Sequence, residues 1–159
     1  MQVEAKVLID ADRDVVWSLV SDIENAEKTV TGIEKVEILE KPETGLVGLK
    51  WRETRTLFGK TATEVMWITA AEQPAYYETE ARSHGSVYRT RLSLEDRQGK
   101  TRLAMNFGAE AETFFTKVLS AVFGVLMKGP MRKAIQKDLD DVKRAAERAA
   151  AEPRGQTME

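Results

Sequence analysis

Two glutamates are the side chains best placed by type and spacing to do chemistry. Glu53 alternates with Leu49 and Trp51, and Glu64 alternates with Met66 and Ile68. If those faces turn inward, both carboxylates enter an apolar interior. A desolvated carboxyl holds its proton more tightly, so it can serve as a general acid or base or bind a ligand hydroxyl. The competing reading is a salt bridge from these glutamates to Arg55 or a neighbouring base at the sheet rim, a common structural use of such pairs. His84 is the single histidine. It sits beside Gly85 in what reads as a hairpin turn, where a solvated turn residue is the simpler role than a catalytic base. The chain has no cysteine, which removes disulfides, thiolate metal sites and thiol nucleophiles. A lone histidine without cysteine does not build a metal site. No metal and no cofactor are expected.

The apolar counterparts of these carboxylates are Trp51, Met66, Tyr88, Met105, Phe107, Phe114 and Phe123, joined by Val118 and Val122 on a helical stripe. Side chains of this kind fill ordinary cores, and they also line pockets for apolar ligands, with a few polar groups fixing orientation. Both readings stay open from residue type alone.

The elements that must position these residues follow from periodicity. Val3, Ala5, Val7 and Ile9 alternate as a strand, and Asp10-Ala11-Asp12 offers a helix N-cap, with Asp14 in the first turn. Val16, Leu19, Val20 and Ile23 form a short helical stripe, and a second short helix is expected from Asp22 to a stop at Gly32. Strands are then expected over Ile33–Glu40, Val47–Leu57, Thr61–Ala70, Ala75–Ser83, Val87–Glu95 and Thr101–Glu110. Short turns at Phe58-Gly59-Lys60, His84-Gly85 and Arg97-Gln98-Gly99-Lys100 make an antiparallel meander. Arg82, Arg89 and Arg91 alternate with Glu78, Glu80 and Glu95, which suits cross-strand ion pairs on a solvated face.

A long helix closes the pattern, from about Thr113 to Ala150. Phe114, Val118, Val122, Val125, Leu126, Met131, Ile135, Leu139 and Val142 recur on it at three- and four-residue spacing. Gly129-Pro130 predicts a kink or short break. Such a stripe must be buried, and the preceding sheet is the surface available. A curved sheet gripping one helix tends to leave a cavity between them.

Bulk properties narrow the function classes. With 159 residues, 42% hydrophobic and 31% charged, the chain suits one globular domain over 1–150, with a disordered tail over 151–159. Net charge is −2, from 24 basic against 26 acidic side chains, so no nucleic-acid partner is expected. The apolar run Val118–Met127 is too short to span a bilayer. The N-terminus enters a strand at once, without the pattern of a signal peptide, and a cytoplasmic location is expected. Lys128, Arg132, Lys133 and Lys137 suit either transient contact with an anionic membrane or a solvated face beside Asp138, Asp140 and Asp141. The apolar segment around Phe114-Phe115 and Val122–Met127 suits a lid, a homodimer contact or a buried helix.

This order of elements resembles the helix-grip arrangement of the START-like, SRPBCC superfamily, and within it the polyketide cyclase/dehydrase and coenzyme Q-binding-like groups. The matching pieces are Ile9-Asp10-Ala11-Asp12-Arg13-Asp14-Val15-Val16-Trp17, Gly32-Ile33-Glu34-Lys35-Val36-Glu37-Ile38-Leu39, Ile68-Thr69-Ala70-Ala71-Glu72-Gln73-Pro74 and Gly99-Lys100-Thr101-Arg102-Leu103. Asp12 stands where such proteins often carry proline, and the segment before Gly32 lacks their tryptophan. The resemblance implies an α+β helix-grip fold: a curved antiparallel sheet around a long C-terminal helix, with two short helices after the first strand. It also implies a small hydrophobic ligand (a lipid, quinone or polyketide-like compound) bound or transported in an internal cavity. A cyclase/dehydrase-like enzyme using Glu53 or Glu64 to move protons is the second expectation. A protein-interaction module with a filled interior is the third.

Overall fold

The structure, a computed structural model, describes residues 1–152, with the backbone alone at 114–116 and 118–123. The chain runs β1 (Gln2–Ile9), α1 (Arg13–Val20), a single 3-10 turn (Ile23–Asn25), α2 (Ala26–Thr29), β2 (Ile33–Glu40), β3 (Lys50–Leu57), β4 (Lys60–Glu72), β5 (Tyr76–Ser83), β6 (Ser86–Arg97), β7 (Lys100–Ala111) and α3 (Phe114–Ala151). The seven strands form one antiparallel sheet in the order β1-β7-β6-β5-β4-β3-β2. The meander β2 to β7 is therefore closed by β1 returning beside β7. This is the helix-grip fold.

Turn chemistry sets the meander. His84 and Gly85 both adopt positive φ (52° and 74°), as do Gln98 and Gly99 (56° and 85°). Two consecutive left-handed residues match the twist of a tight hairpin. Strand β3 begins at Lys50 rather than at Val47. Gly48 takes φ 94°, which bends the chain there, although its N–H still donates to the Ile68 carbonyl. Asp12 holds the N-cap position of α1 without a side-chain cap bond; its carbonyl accepts from Val16 N–H instead.

One face of the sheet looks inward. Val3, Ala5 and Ile9 of β1, Leu103 of β7, Leu92 and Leu94 of β6, and Val16, Trp17 and Val20 of α1 pack with Ile135, Leu139, Val142 and Ala146 of α3. A smaller cluster of Ile23, Leu49, Trp51 and Ile68 lies under β3 and β4. Helix α3 packs chiefly on β1, and also on β7 and α1, without comparable contact to the other strands. The Gln136 amide N–H donates to the Lys6 carbonyl, Lys143 Nζ to the Leu8 carbonyl, and Asp10 N–H to Glu147 Oε1. The helix is thus fixed to one side of the sheet, and the two apolar clusters are left with space between them.

Two features of α3 bear on the sequence expectation, which at Gly129-Pro130 is a kink or a short break. The helix runs through Gly129-Pro130 without a break. Pro130 has no N–H to donate to the Leu126 carbonyl, and Leu126 is 70% exposed, a setting in which solvent can take the place of a lost helix bond. Val125 and Leu126, 79% and 70% exposed, do not belong to the buried stripe. Spacing marked them as apolar; no facing element covers them. The side chains of Phe114, Val118, Val122 and Phe123 lie outside the described residues, as does the tail from 153 to 159.

Candidate functional site

Between the inner sheet face, α1, α2 and α3 lies a cavity of about 410 Å³. Its walls are mainly apolar, including Leu19, Ile23, Ile33, Leu57, Leu92, Leu103, Met131 and Ile135. Seven residues singled out from the sequence line it together: Trp51, Glu53, Glu64, Met66, Tyr88, Met105 and Phe107. They converge because strand alternation puts them on one face. Trp51 pairs with Met66, Met66 with Ala81, and Ala81 with Tyr88 across three ladders. Tyr88 stacks on Phe107, with ring centroids 6.0 Å apart.

Glu53 lies directly opposite Glu64 in the β3–β4 register, so both carboxylates enter the cavity. They differ in partners. Arg55 Nε donates to Glu53 Oε2 at 3.2 Å, and Arg55 NH1 donates to Asp138 Oδ2 at 3.0 Å. Glu64 has no ion-pair or hydrogen-bond partner among the described residues. The salt bridge to Arg55 and the inward-facing carboxylate are therefore both present in Glu53. The bridge lies in the cavity wall rather than at an exposed rim: the Glu53, Asp138 and Arg55 side chains are 12%, 16% and 24% exposed.

One guanidinium serving two carboxylates leaves the group short of positive charge. Burial pushes the Glu53 carboxyl above its usual range; the Arg55 charge opposes this, and the Asp138 charge adds to it. Burial likewise raises Asp138 against the pull of Arg55. Arg55 is itself raised: burial works against its charge, but Asp138 and Glu53 outweigh that. Tyr77 donates its hydroxyl to the Val20 carbonyl at 3.0 Å, and burial, aided by the Glu53 charge, raises its pKa. It therefore stays a neutral donor that ties β5 to the end of α1. The Trp51 indole N–H, in a residue only 3% exposed, makes no well-formed hydrogen bond among the described residues, but acts as a loose donor toward Glu53. It lies near enough to Glu53 to offset part of that carboxyl's shift.

Sequence reasoning placed Arg55 on the face of Glu53 and as its ion-pair partner, grouped Asp138 with a solvated face, and passed over Tyr77. The spacing of Asp138 held the signal, since Met131, Ile135, Asp138 and Val142 follow at four, three and four residues on one helix face. His84 is an exposed turn residue beside Ser83, as expected. On the outer face, Arg91 faces Glu78 at 2.6 Å, and Arg89 and Arg82 share Glu80 at 3.5 and 3.0 Å. Glu95 pairs instead with Arg97, its neighbour two residues on. A hollow of about 620 Å³ touches this charged region, but its charges largely neutralise one another. Among the described residues no cluster of three or more ligating side chains is placed for a metal ion, and no helix is long and apolar enough to cross a membrane.

The family model described as polyketide cyclase/dehydrase and lipid transport matches residues 1–147. The chain belongs to this family. Its members bind small hydrophobic molecules. No curated protein sequence matches the chain. Among solved structures, a protein from Thermus thermophilus superposes with a TM-score of 0.77 at 14% identity, covering 95% of this chain and 100% of that one. The Zhui aromatase/cyclase from a Streptomyces species gives 0.70 at 18% identity, covering 93% and 94%. A START superfamily protein from Mycobacterium smegmatis gives 0.67 at 18% identity, covering 94% and 96%. At such identities the likeness establishes a shared fold.

Proposed function

We propose that this family member binds or transports a small, mostly apolar molecule in the cavity between the sheet and α3. The carrying observation is the cavity itself: about 410 Å³, walled by apolar side chains, with its charged groups confined to Glu53, Arg55, Glu64 and Asp138. A molecule buried there gains about 25 cal/mol per Å² of apolar surface removed from water. The polar group orients it. Native mass spectrometry of freshly purified protein, followed by solvent extraction, tests this. One retained small molecule per chain is expected. A bare chain mass that persists after exposure to neutral lipids and quinones would sink the proposal.

A second reading rests on a specific observation: two buried carboxyls, Glu53 and Asp138, share one arginine and are held toward the protonated form. Such groups suit general acid–base chemistry of the cyclase/dehydrase kind. In that case Glu53→Gln or Glu64→Gln abolishes turnover of a retained molecule while leaving its binding intact. A pure carrier shows no turnover to lose.

A further inference from the structure

The aspartates that could neutralise the basic face of α3 are engaged elsewhere. Asp138 meets Arg55 in the cavity wall. Asp140 accepts from the Gln136 amide at 3.2 Å. Asp141 is buried, accepts from Thr31 and pairs with Lys137 and Arg144. Lys128, Arg132 and Lys133 are exposed and have no ion-pair or hydrogen-bond partner among the described residues. Glu4 and Glu110, which border a hollow together with Arg132, are paired with Lys6 and Arg89. From Thr113 to Lys137 the sequence holds five basic and no acidic side chains, in a chain whose net charge is −2.

Two aliphatic side chains stand among these cations. Val125, Lys128 and Arg132 follow at three and four residues, and Leu126, Gly129 and Lys133 do the same one row over. Val125 and Leu126 are 79% and 70% exposed, and a Cβ added at Gly129 between the rows would meet no atom within 4 Å. On the other side of the same turns, Met131 and Ile135 line the cavity. We propose that this face of α3 docks on an anionic lipid surface. Its cations meet the charged headgroups while Val125 and Leu126 enter the boundary of the acyl chains, and the long basic stems let both happen at once. A stable protein partner uses about 20 residues or more on each side, which these two short rows do not offer. Docking in this way brings a wall of the cavity beside the bilayer, whatever the cavity holds.

The test is co-sedimentation of the full chain at pH 7 with two kinds of vesicle, phosphatidylcholine alone and phosphatidylcholine with about 30% phosphatidylserine. Binding is expected to the second and not to the first, and about 0.5 M salt should release it. The double variant Lys128→Glu, Lys133→Glu should weaken binding at least about tenfold. So should Val125→Ser, Leu126→Ser, which leaves every charge in place. Lys41→Glu, Lys100→Glu makes the same change in net charge in the loop after β2 and the β6–β7 turn, and should bind like wild type. Equal binding to both vesicles would overturn the proposal. Equal weakening by the Lys41, Lys100 variant would do the same, because net charge and not this face would then decide. An unchanged Val125, Leu126 variant would also contradict it, reducing the contact to simple charge attraction. Failure to bind either vesicle, with a concentration-dependent dimer that Leu126→Ser abolishes, would give the face to a second copy and overturn membrane docking. All the substituted side chains are exposed, and thermal melts and circular dichroism of each variant separate loss of docking from loss of the fold.

Discussion

The two faces of the sheet carry the same kinds of charge and use them in opposite ways. Outside, Arg91 and Glu78 meet at 2.6 Å with side chains 46% and 38% exposed. Solvent screens such a pair, and its worth is small. Inside, Arg55 meets Glu53 and Asp138 at 3.2 and 3.0 Å with side chains no more than 24% exposed. There, water no longer stabilises the ions, so each depends on its partner, and an apolar substitute of similar size often folds as well or better. The difference shows that the same pair of residue types is nearly neutral for stability outside and mutually dependent inside. The outer charges give solubility and register. The inner ones are desolvated, in the wall of a cavity lined mainly by apolar side chains.

The largest effect should come from breaking the inner group. Arg55→Leu leaves two buried carboxylates without a cation and should cost about 3 kcal/mol at pH 7, measured by urea unfolding. The loss should shrink as the pH falls toward 4, where both carboxyls take up protons. A cost under ~1 kcal/mol, independent of pH, would put the inner pair on the footing of the outer ones.

Two aspartates three residues apart on α3 sharpen the contrast. Asp138 faces the cavity and its pKa is raised. Asp141 accepts from Thr31 N–H and Thr31 Oγ1–H at 3.0 and 2.9 Å, pinning the loop before β2 to the helix. Burial pushes Asp141 upward, but the Thr31 bonds and the charges of Lys137 and Arg144 outweigh it, and its pKa is lowered from 3.8. The native state therefore releases this proton more readily than the unfolded chain, so the stabilisation is present above pH 3.8 and fades as the pH falls through the lower folded value. Asp141→Asn should cost about 1–2 kcal/mol at neutral pH, with the difference from wild type narrowing in acid. An undiminished difference at pH 2 would refute the linkage.

Glu53 and Asp138 carry the opposite sign. Their native carboxyls hold protons above the unfolded values of 4.5 and 3.8. Stability from this source is full below those values and declines as the pH rises through the raised ones. The double variant Glu53→Gln, Asp138→Asn should lose that decline between pH 4 and 7, flattening the stability profile relative to wild type. The smallest effect belongs to the outer face. Glu78→Gln should change stability by less than ~1 kcal/mol, and added salt should reduce even that.

Much of the fold was readable because strand alternation and glycine turns act locally. The inward set Leu49, Trp51, Glu53 and Arg55 follows from a period of two, and the hairpins at His84-Gly85 and Gln98-Gly99 follow from residues that tolerate positive φ. The cavity residues on strands were readable for the same reason. What stayed hidden depends on which element faces which. Val125 and Leu126 carry the right spacing for burial, yet nothing covers them. Asp138 carries a polar label on a buried stripe, and only its distance to Arg55 shows that it belongs to the site. The burial of the Trp51 indole N–H beside Glu53 is a property of three-dimensional packing that no sequence period encodes.

The central claim is that the space between sheet and α3 holds a molecule, and filling that space tests it most directly. Ala81, 7% exposed, lies between Met66 and Tyr88 in the cavity wall. Ala81→Phe adds a ring to the void, where the usual cost of overpacking a dense core is reduced. Native mass spectra of wild type and Ala81→Phe, purified alike and both shown to be folded, should differ by the small molecule that wild type retains and the variant does not. The same bound mass on both proteins, or on neither after exposure to 1-decanol, would contradict the account.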